Sequence, residues 1–183
     1  MTYVEPLALY LTLYRHVNGL GASVVFPGSY PNYTHTFTAS SQDIIARSEL
    51  YLSVEKPDRG HGEAFNTADN DIPASWALVW PKMCEYFGLR GEGPSPEDKG
   101  WKDIDKWWFA HQDDYKKMCK KYGLRYREIP EATWTFLSVG LSFLCRNREL
   151  SLDKIRSVGF TEEYPIAYGY FQVFECLSQE KII

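Results

Sequence analysis

The chain has 183 residues, 44% of them hydrophobic. That is enough for one domain burying roughly two-thirds of its unfolded surface, and it excludes a disordered segment. A net charge of −4 and a pI near 5.6 exclude a broad nucleic-acid-binding face.

In chain order, residues 3–17 predict a helix. Leu7, Tyr10, Leu11 and Tyr14 recur at three- and four-residue spacing as one apolar stripe, and Asn18-Gly19 supplies the stop. Residues 22–26 are a short β-branched run, a buried strand ended by Pro27-Gly28. Residues 29–40 read as a loop rich in Tyr, Thr and His. Ser40 or Ser41 then caps a helix over 42–54, with Asp43 in its first turn and Ile44, Ile45, Ser48, Tyr51 and Leu52 on its buried side. Residues 56–62 read as a surface turn.

A second short strand is expected over 63–66, the sequence Glu-Ala-Phe-Asn. A polar turn over 67–71 follows, then a helix over 73–87 capped by Asp71 or Ser75 and ended by Gly88. Pro81 removes a backbone donor inside that helix and predicts a kink near Ala77 or a restart. Residues 90–99 are a Gly/Pro/acid stretch without core pattern, read as a flexible linker. A long charged helix follows over 101–122, stopped by Gly123. Its basic residues Lys116, Lys117, Lys120 and Lys121 are interleaved with acids upstream and read as a solvated face. Pro130 begins an almost wholly apolar helix over 131–144, central or at an interface. Ser151 caps a short helix over 152–158, and an aromatic-rich helix over 164–177 closes the chain. The fold class is mainly α (α+β), a single domain over 1–183 with about seven helices and two short strands. Two lone strands cannot stand as a sheet, so they pair with each other, across an interface, or with a sheet outside this chain.

Four cysteines, Cys84, Cys119, Cys145 and Cys176, show no metal spacing and read as reduced thiols of a cytoplasmic protein. The apolar run at residues 6–13 has no basic flank and is too short to span a membrane. Asp103, Asp105, Asp113 and Asp114 share a helix with Lys102 and Lys106, and His111 does not pair with them at ligand spacing. No metal site is expected. No nucleophile-elbow signature is present. Aromatics make up 16% of the chain, more than a core of this size needs, which leaves either an aromatic-rich core or an aromatic-lined pocket for an apolar ligand.

Gly62-Glu63-Ala64-Phe65-Asn66 with its Trp-bearing helix ending in Phe87-Gly88 resembles a segment of the progesterone 5-beta-reductase/iridoid synthase-like family of extended short-chain dehydrogenases. Trp134 to Phe136 resembles that family's Trp-Trp-Phe helix, residues 157–160 its His-Gly-Phe turn, residues 24–28 one of its strands, and the Lys-Ile-Ile ending its terminus. The order and spacing run the full length of the chain, and the resemblance implies the C-terminal, substrate-binding half of such an enzyme. The dinucleotide-binding glycines and the catalytic Tyr and Lys belong to the family's other half. Gly19-Leu20-Gly21 follows a helix and precedes a strand, the reverse of the required order, and no Tyr-x-x-x-Lys spacing occurs. No cofactor is therefore expected on this chain. By position, the resemblance places Tyr3, Val4 and Leu7 on the first pocket-lining helix and Trp134 and Phe136 against the substrate.

The function expected is a cofactor-free cyclase or isomerase, an intramolecular Diels–Alder-type closure of a terpenoid- or polyketide-like substrate. It would work by preorganisation in an aromatic pocket and a hydrogen bond to a polarising carbonyl. Tyr33, His35 and Tyr168 are the catalytic donors to test, with Trp107 and Trp108 lining the pocket. Each has a plainer role open to it: a structural loop histidine, half-core tryptophans, a tyrosine packed with its hydroxyl at the surface. The alternatives are a non-enzymatic binding or accessory module and a separated substrate half of an NADPH-dependent reductase. The face left apolar without a nucleotide-binding half predicts a homodimer through the 131–144 helix, the first helix or an edge strand.

Overall fold

The computed structural model describes residues 3–98 and 103–183. Among the described residues ten α-helices and four short strands form, more than the seven and two expected. Helix α1 (Val4–Asn18) is the axis. It buries Leu7, Ala8, Leu9, Tyr10, Leu11 and Leu13, so it is wrapped on more than the single stripe expected. Helices α7 (Gln112–Tyr122), α8 (Glu131–Phe143) and α10 (Tyr168–Gln179) pack on it.

Strand β1 (Ser23–Val25) pairs in parallel with β4 (Arg90–Glu92), Ser23 opposite Arg90 and Val25 opposite Glu92. The stretch read as a linker therefore begins as a strand. Parallel neighbours require a crossover, and here it is everything between them, ending in α5 (Trp76–Tyr86), which lies against the pair. The Trp80 indole N–H donates to the Val24 carbonyl at 3.2 Å. Gly91 sits so close to α5 that a Cβ there would meet the Pro81 Cα at 2.9 Å. Helix α5 runs unbroken through Pro81, so the expected kink or restart is not a break. Ser75 precedes it without a side-chain cap.

The second pair is antiparallel: β2 (Thr36–Phe37) with β3 (Ala74–Ser75), Phe37 opposite Ala74. Residues 63–66, expected as a strand, form none. Side chains tether them instead. Lys154 reaches Glu63 at 2.7 Å and lies over the Phe65 ring, and the Asn66 amide donates to the Ser151 carbonyl at 3.0 Å. The segment thereby lies along α9 (Asp153–Ser157), over a small second core of Ile44, Ala68, Leu152, Ile155 and Phe160.

The expected 29–40 loop holds a short helix, α2 (Tyr30–Thr34), because Ser29 caps it and Pro31 opens its first turn. Ser41 caps α3 (Gln42–Leu50) as expected. The continuation is a π-helical turn, Tyr51–Glu55, where the Tyr51 hydroxyl donates to the Val158 carbonyl at 3.0 Å. A further short helix, α4 (Pro57–Gly60), occupies the expected surface turn.

The long helix read over 101–122 divides at His111 into α6 (Ile104–Ala110) and α7; Trp101 and Lys102 lie outside the described residues. The His111 ring stacks on Trp107 at 4.2 Å and bonds the Trp107 carbonyl at 2.8 Å. Gly123, left-handed at φ 66°, ends α7.

Candidate substrate site

The loop that carries two of the predicted donors is fastened to α8 by its own polar residues. Asn32, fully buried, donates both amide hydrogens, to the Gly140 carbonyl at 3.0 Å and the Leu141 carbonyl at 2.9 Å. The Ser29 hydroxyl donates to the Ser142 carbonyl at 2.7 Å. These are carbonyls of the last turn of α8, which lack partners within the helix. A segment more than a hundred residues away in sequence thus supplies the cap.

The predicted catalytic residues occupy separate settings. The half-buried Tyr33 ring packs on Phe26 at 5.2 Å and crosses Gly93, and burial raises its phenol pKa. The His35 ring bonds the Pro31 carbonyl of its own helix. Tyr168 donates to Asp43 Oδ2 at 3.0 Å and stacks on Tyr164 at 4.2 Å, on the outer side of α10.

The predicted binding residues divide by burial. Leu7, Trp108 and Trp134 are sealed in the core, with Trp108 stacked on Trp134 at 4.4 Å and the Trp134 indole N–H buried without a partner among the described residues. Trp107 is half-buried, edge-on to Tyr10 at 5.1 Å. Tyr3 and Val4 are half-buried. Tyr3 stacks flat on Phe136, centroids 5.0 Å apart, with its ring across Gly140, where a Cβ would meet the Tyr3 hydroxyl at 2.5 Å. Gly140 thus makes room for Tyr3 on α8. The outer face of α8 continues as Phe136, Val139 and Phe143, exposed by 42%, 40% and 60%.

Beside this stack lie groups that periodicity did not single out. Tyr170 on α10 contacts the Trp76 ring at 5.9 Å, Trp76 contacts Phe37 at 5.7 Å, and the Arg148 guanidinium lies 5.7 Å over Phe37. Arg148 is held by its backbone. It bridges in parallel to Phe37, donating its N–H to the Thr36 carbonyl at 2.9 Å and accepting from the Thr38 N–H at 3.0 Å. Burial pushes the Tyr170 phenol up to about 12 while the nearby Arg148 pulls it down and Asp69 and Tyr3 raise it. Tyr3 is likewise raised by burial and lowered by Arg148. Asp69 is buried, its Oδ1 accepting from the Ser41 N–H at 2.9 Å and hydroxyl at 2.6 Å. Tyr170 shows no local sequence signal. It is two positions from Tyr168, and the turn of the helix sends the two to different neighbours.

Tyr170, Asp69, Ala39, Ala74 and Ile166 line a cleft with about 10 Å³ of free space, room for one water. A small-molecule site needs several hundred, so this wall is not a formed terpenoid pocket by itself. An open groove of about 550 Å³ lies elsewhere, along Trp108, Phe109, Tyr126, Ile129 and Pro130.

Neither glycine turn suits a dinucleotide. Gly19 and Gly21 connect a helix end to a strand, and the Cβ direction of Gly28, in the turn after β1, is filled by the Leu141 carbonyl and the Phe26 ring. The described residues hold no cluster of His, Cys, Asp and Glu that could bind a metal ion. No helix among them is long and apolar enough to cross a membrane. All four cysteines are free thiols.

Comparison with known proteins finds similarity to short chain dehydrogenases and to an enol synthase. The short chain dehydrogenase ausT of Aspergillus calidoustus is 51% identical over 181 residues, 99% of this chain and 44% of that protein. The short chain dehydrogenase sirS of Leptosphaeria maculans is 32% identical over 86% of this chain and 41% of its own length. The (S)-8-oxocitronellyl enol synthase of Catharanthus roseus is 24% identical over 87% of this chain and 39% of its own. The chain spans less than half the length of these relatives. A family model described as the PRISE-like Rossmann-fold domain matches residues 2–183, and the chain belongs to that family.

Proposed function

We propose that this chain is the substrate-binding part of a short-chain-dehydrogenase-type enzyme acting on an apolar, oxygenated small molecule, and that a nucleotide-binding Rossmann part completes it. One observation carries the reading: the parallel pair β1–β4. A parallel sheet is normally built of several strands and covered on both faces. Here it has two strands, covered by α5 where Val24 and Gly91 lie, while Val25, Arg90 and Glu92 remain exposed. That pair has the form of a fragment awaiting further strands, and the aromatic wall of Tyr3, Phe136, Trp76 and Tyr170 has the form of half a pocket. The chain's own residues would orient and desolvate the substrate. The enol synthase relative supports a terpenoid-like substrate.

The test joins this chain to the portion of the Aspergillus calidoustus relative that it does not span. The isolated chain should give no saturable NADPH fluorescence change, and the chimera should bind NADPH and reduce an enal. A chimera that folds and binds NADPH yet turns over no member of an enal and enone panel would sink the reading.

A second reading is a cofactor-free cyclase, favoured by the phenols of Tyr3, stacked on Phe136, and Tyr170, against Trp76, hydroxyl donors of the kind that polarise a carbonyl without a nucleotide. On that reading the chain acts alone and a second copy covers the apolar outer face of α8. Turnover of linear polyene aldehydes without nucleotide, with one dominant stereoisomer, would decide for it. Binding without turnover in either assay would leave an accessory binding module.

A further inference from the structure

The open groove of about 550 Å³ is lined from α6, the start of α7 and residues 126–131, and shares no residue with the wall of Tyr3, Trp76 and Tyr170. It is braced from behind. Trp108, 2% exposed, stacks on Trp134 at 4.4 Å and packs on Tyr115 at 4.9 Å, and Tyr115 packs on Tyr126 at 5.2 Å. The Gln112 side chain donates to the Trp108 carbonyl at 3.2 Å and accepts from the Tyr126 hydroxyl at 3.5 Å, which ties α7 to residues 126–131. Phe109 and Tyr126 bring their rings to the surface, exposed by 42% and 47%, and the half-buried Ile129 adds aliphatic surface. The charge lining the groove has one sign. Glu128 and Glu131 stand in it, neither in an ion pair among the described residues, and no Lys or Arg lines it. The neighbouring Arg127 is taken up by Glu5 at 2.9 Å. The backbone is used on alternate residues. The Arg125 N–H donates to the Lys181 carbonyl at 2.6 Å and the Arg127 N–H to the Tyr115 hydroxyl at 3.1 Å, while the N–H groups of Tyr126 and Glu128 have no partner among the described residues.

Exposed rings beside unpaired carboxylates complement a long cationic side chain. The methylene stem of an Arg or Lys covers apolar surface while its head reaches the carboxylates, and a cation beside an aromatic face gains further attraction. The open N–H groups call for carbonyl acceptors, which an extended chain supplies along its length and a small free cation does not. A small ligand is also held by enclosure on most sides, and this groove is open. We propose that the groove docks an extended basic segment of a partner protein, with an Arg or Lys stem on Phe109, Tyr126 and Ile129 and its cation at Glu128 and Glu131. The proposal is independent of the substrate reading, because the groove and the Tyr3–Phe136 wall have no residue in common.

The test uses the full chain and three peptides of one length: Gly-Leu-Arg-Leu-Arg-Leu-Gly, and its counterparts with Gln or Glu in place of both Arg. Binding at pH 7 is followed by calorimetry, and the contact is located by amide shifts of the isotope-labelled protein. The Arg peptide should bind about 10-fold tighter than the Gln peptide, the range of a charge-assisted contact, and the Glu peptide should not bind. Its affinity should fall as salt rises. Shifts should concentrate at residues 109–112 and 126–131. Glu128→Gln combined with Glu131→Gln should erase the preference for Arg; both side chains are exposed, so the urea midpoint should stay near wild type. Phe109→Ser, also at an exposed position, should weaken the Arg and Gln peptides alike. No binding of the Arg peptide, equal binding of Arg and Gln peptides, a preference that survives the double variant, or shifts confined to other residues overturns the proposal. Displacement of the peptide by butylguanidinium at concentrations near the peptide's own Kd also overturns it, and makes the groove a small-cation site instead.

Discussion

Asn32 donates to two carbonyls at the end of α8 from the short helix α2. Asn32→Leu keeps the volume near and removes both donors; the Leu141 carbonyl keeps the Ser29 N–H at 3.2 Å, and the Gly140 carbonyl loses its amide partner. The expected loss is about 2–3 kcal/mol in urea unfolding, against about 1 kcal/mol for an ordinary net hydrogen bond. A loss under about 0.5 kcal/mol would show that water replaces the amide. Ionisation gives a second residue-level prediction. Burial pushes the Cys84 thiol up to about 12 from its usual 9.0 and the Tyr170 phenol up to about 12 from 10.0. Above pH 9 the unfolded chain loses protons that the folded chain retains, so the unfolded state gains on the folded one. Stability should be flat up to about pH 9 from these two groups and fall as pH rises toward 12. Urea midpoints measured from pH 7 to 11 check this, and Cys84→Ala should make the first part of the fall shallower.

At the scale of elements, the contact of α5 with β4 carries the β1–β4 pair. Gly91 is the closest point, with the Pro81 Cα at 2.9 Å and Cys84 Sγ at 3.0 Å from where a Cβ would stand. Backbone cannot move aside as a flexible side chain does. Gly91→Val should cost about 1–3 kcal/mol as an overpacked contact, despite the better strand propensity of valine. A urea midpoint at or above wild type would mean that the strand is not held against the helix. The same contact explains why residues 90–92 did not read as a strand. Arg-Gly-Glu has no apolar alternation, and its pairing is imposed by α5 and by β1, more than sixty residues earlier.

For the whole molecule, the outer face of α8 is the apolar surface that a chain acting alone must cover. If the second copy proposed with the cyclase reading covers it, sedimentation at micromolar concentration should give about twice the 21.2 kDa chain mass. Val139→Glu, placing a charge in that face, should then return a monomer with an unchanged urea midpoint. A monomer from the wild-type chain rules the homodimer out. The sequence by itself determined the helices whose apolar spacing and end signals agree, such as α1 with Gly19, α3 with Ser41 and α8 behind Pro130, because those are local interactions within one or two turns. It also carried the family, through residues 62–66 and the order of the motifs after them. Only the tertiary structure decided that residues 63–66 pair with no strand, that the 101–122 helix divides at His111, and that Trp108 and Trp134 face the core while Tyr3 stacks on Phe136 and Tyr170 meets Trp76. Those outcomes depend on groups far apart in the chain, and a periodicity of 3.6 residues states which side chains share a face without stating what that face meets.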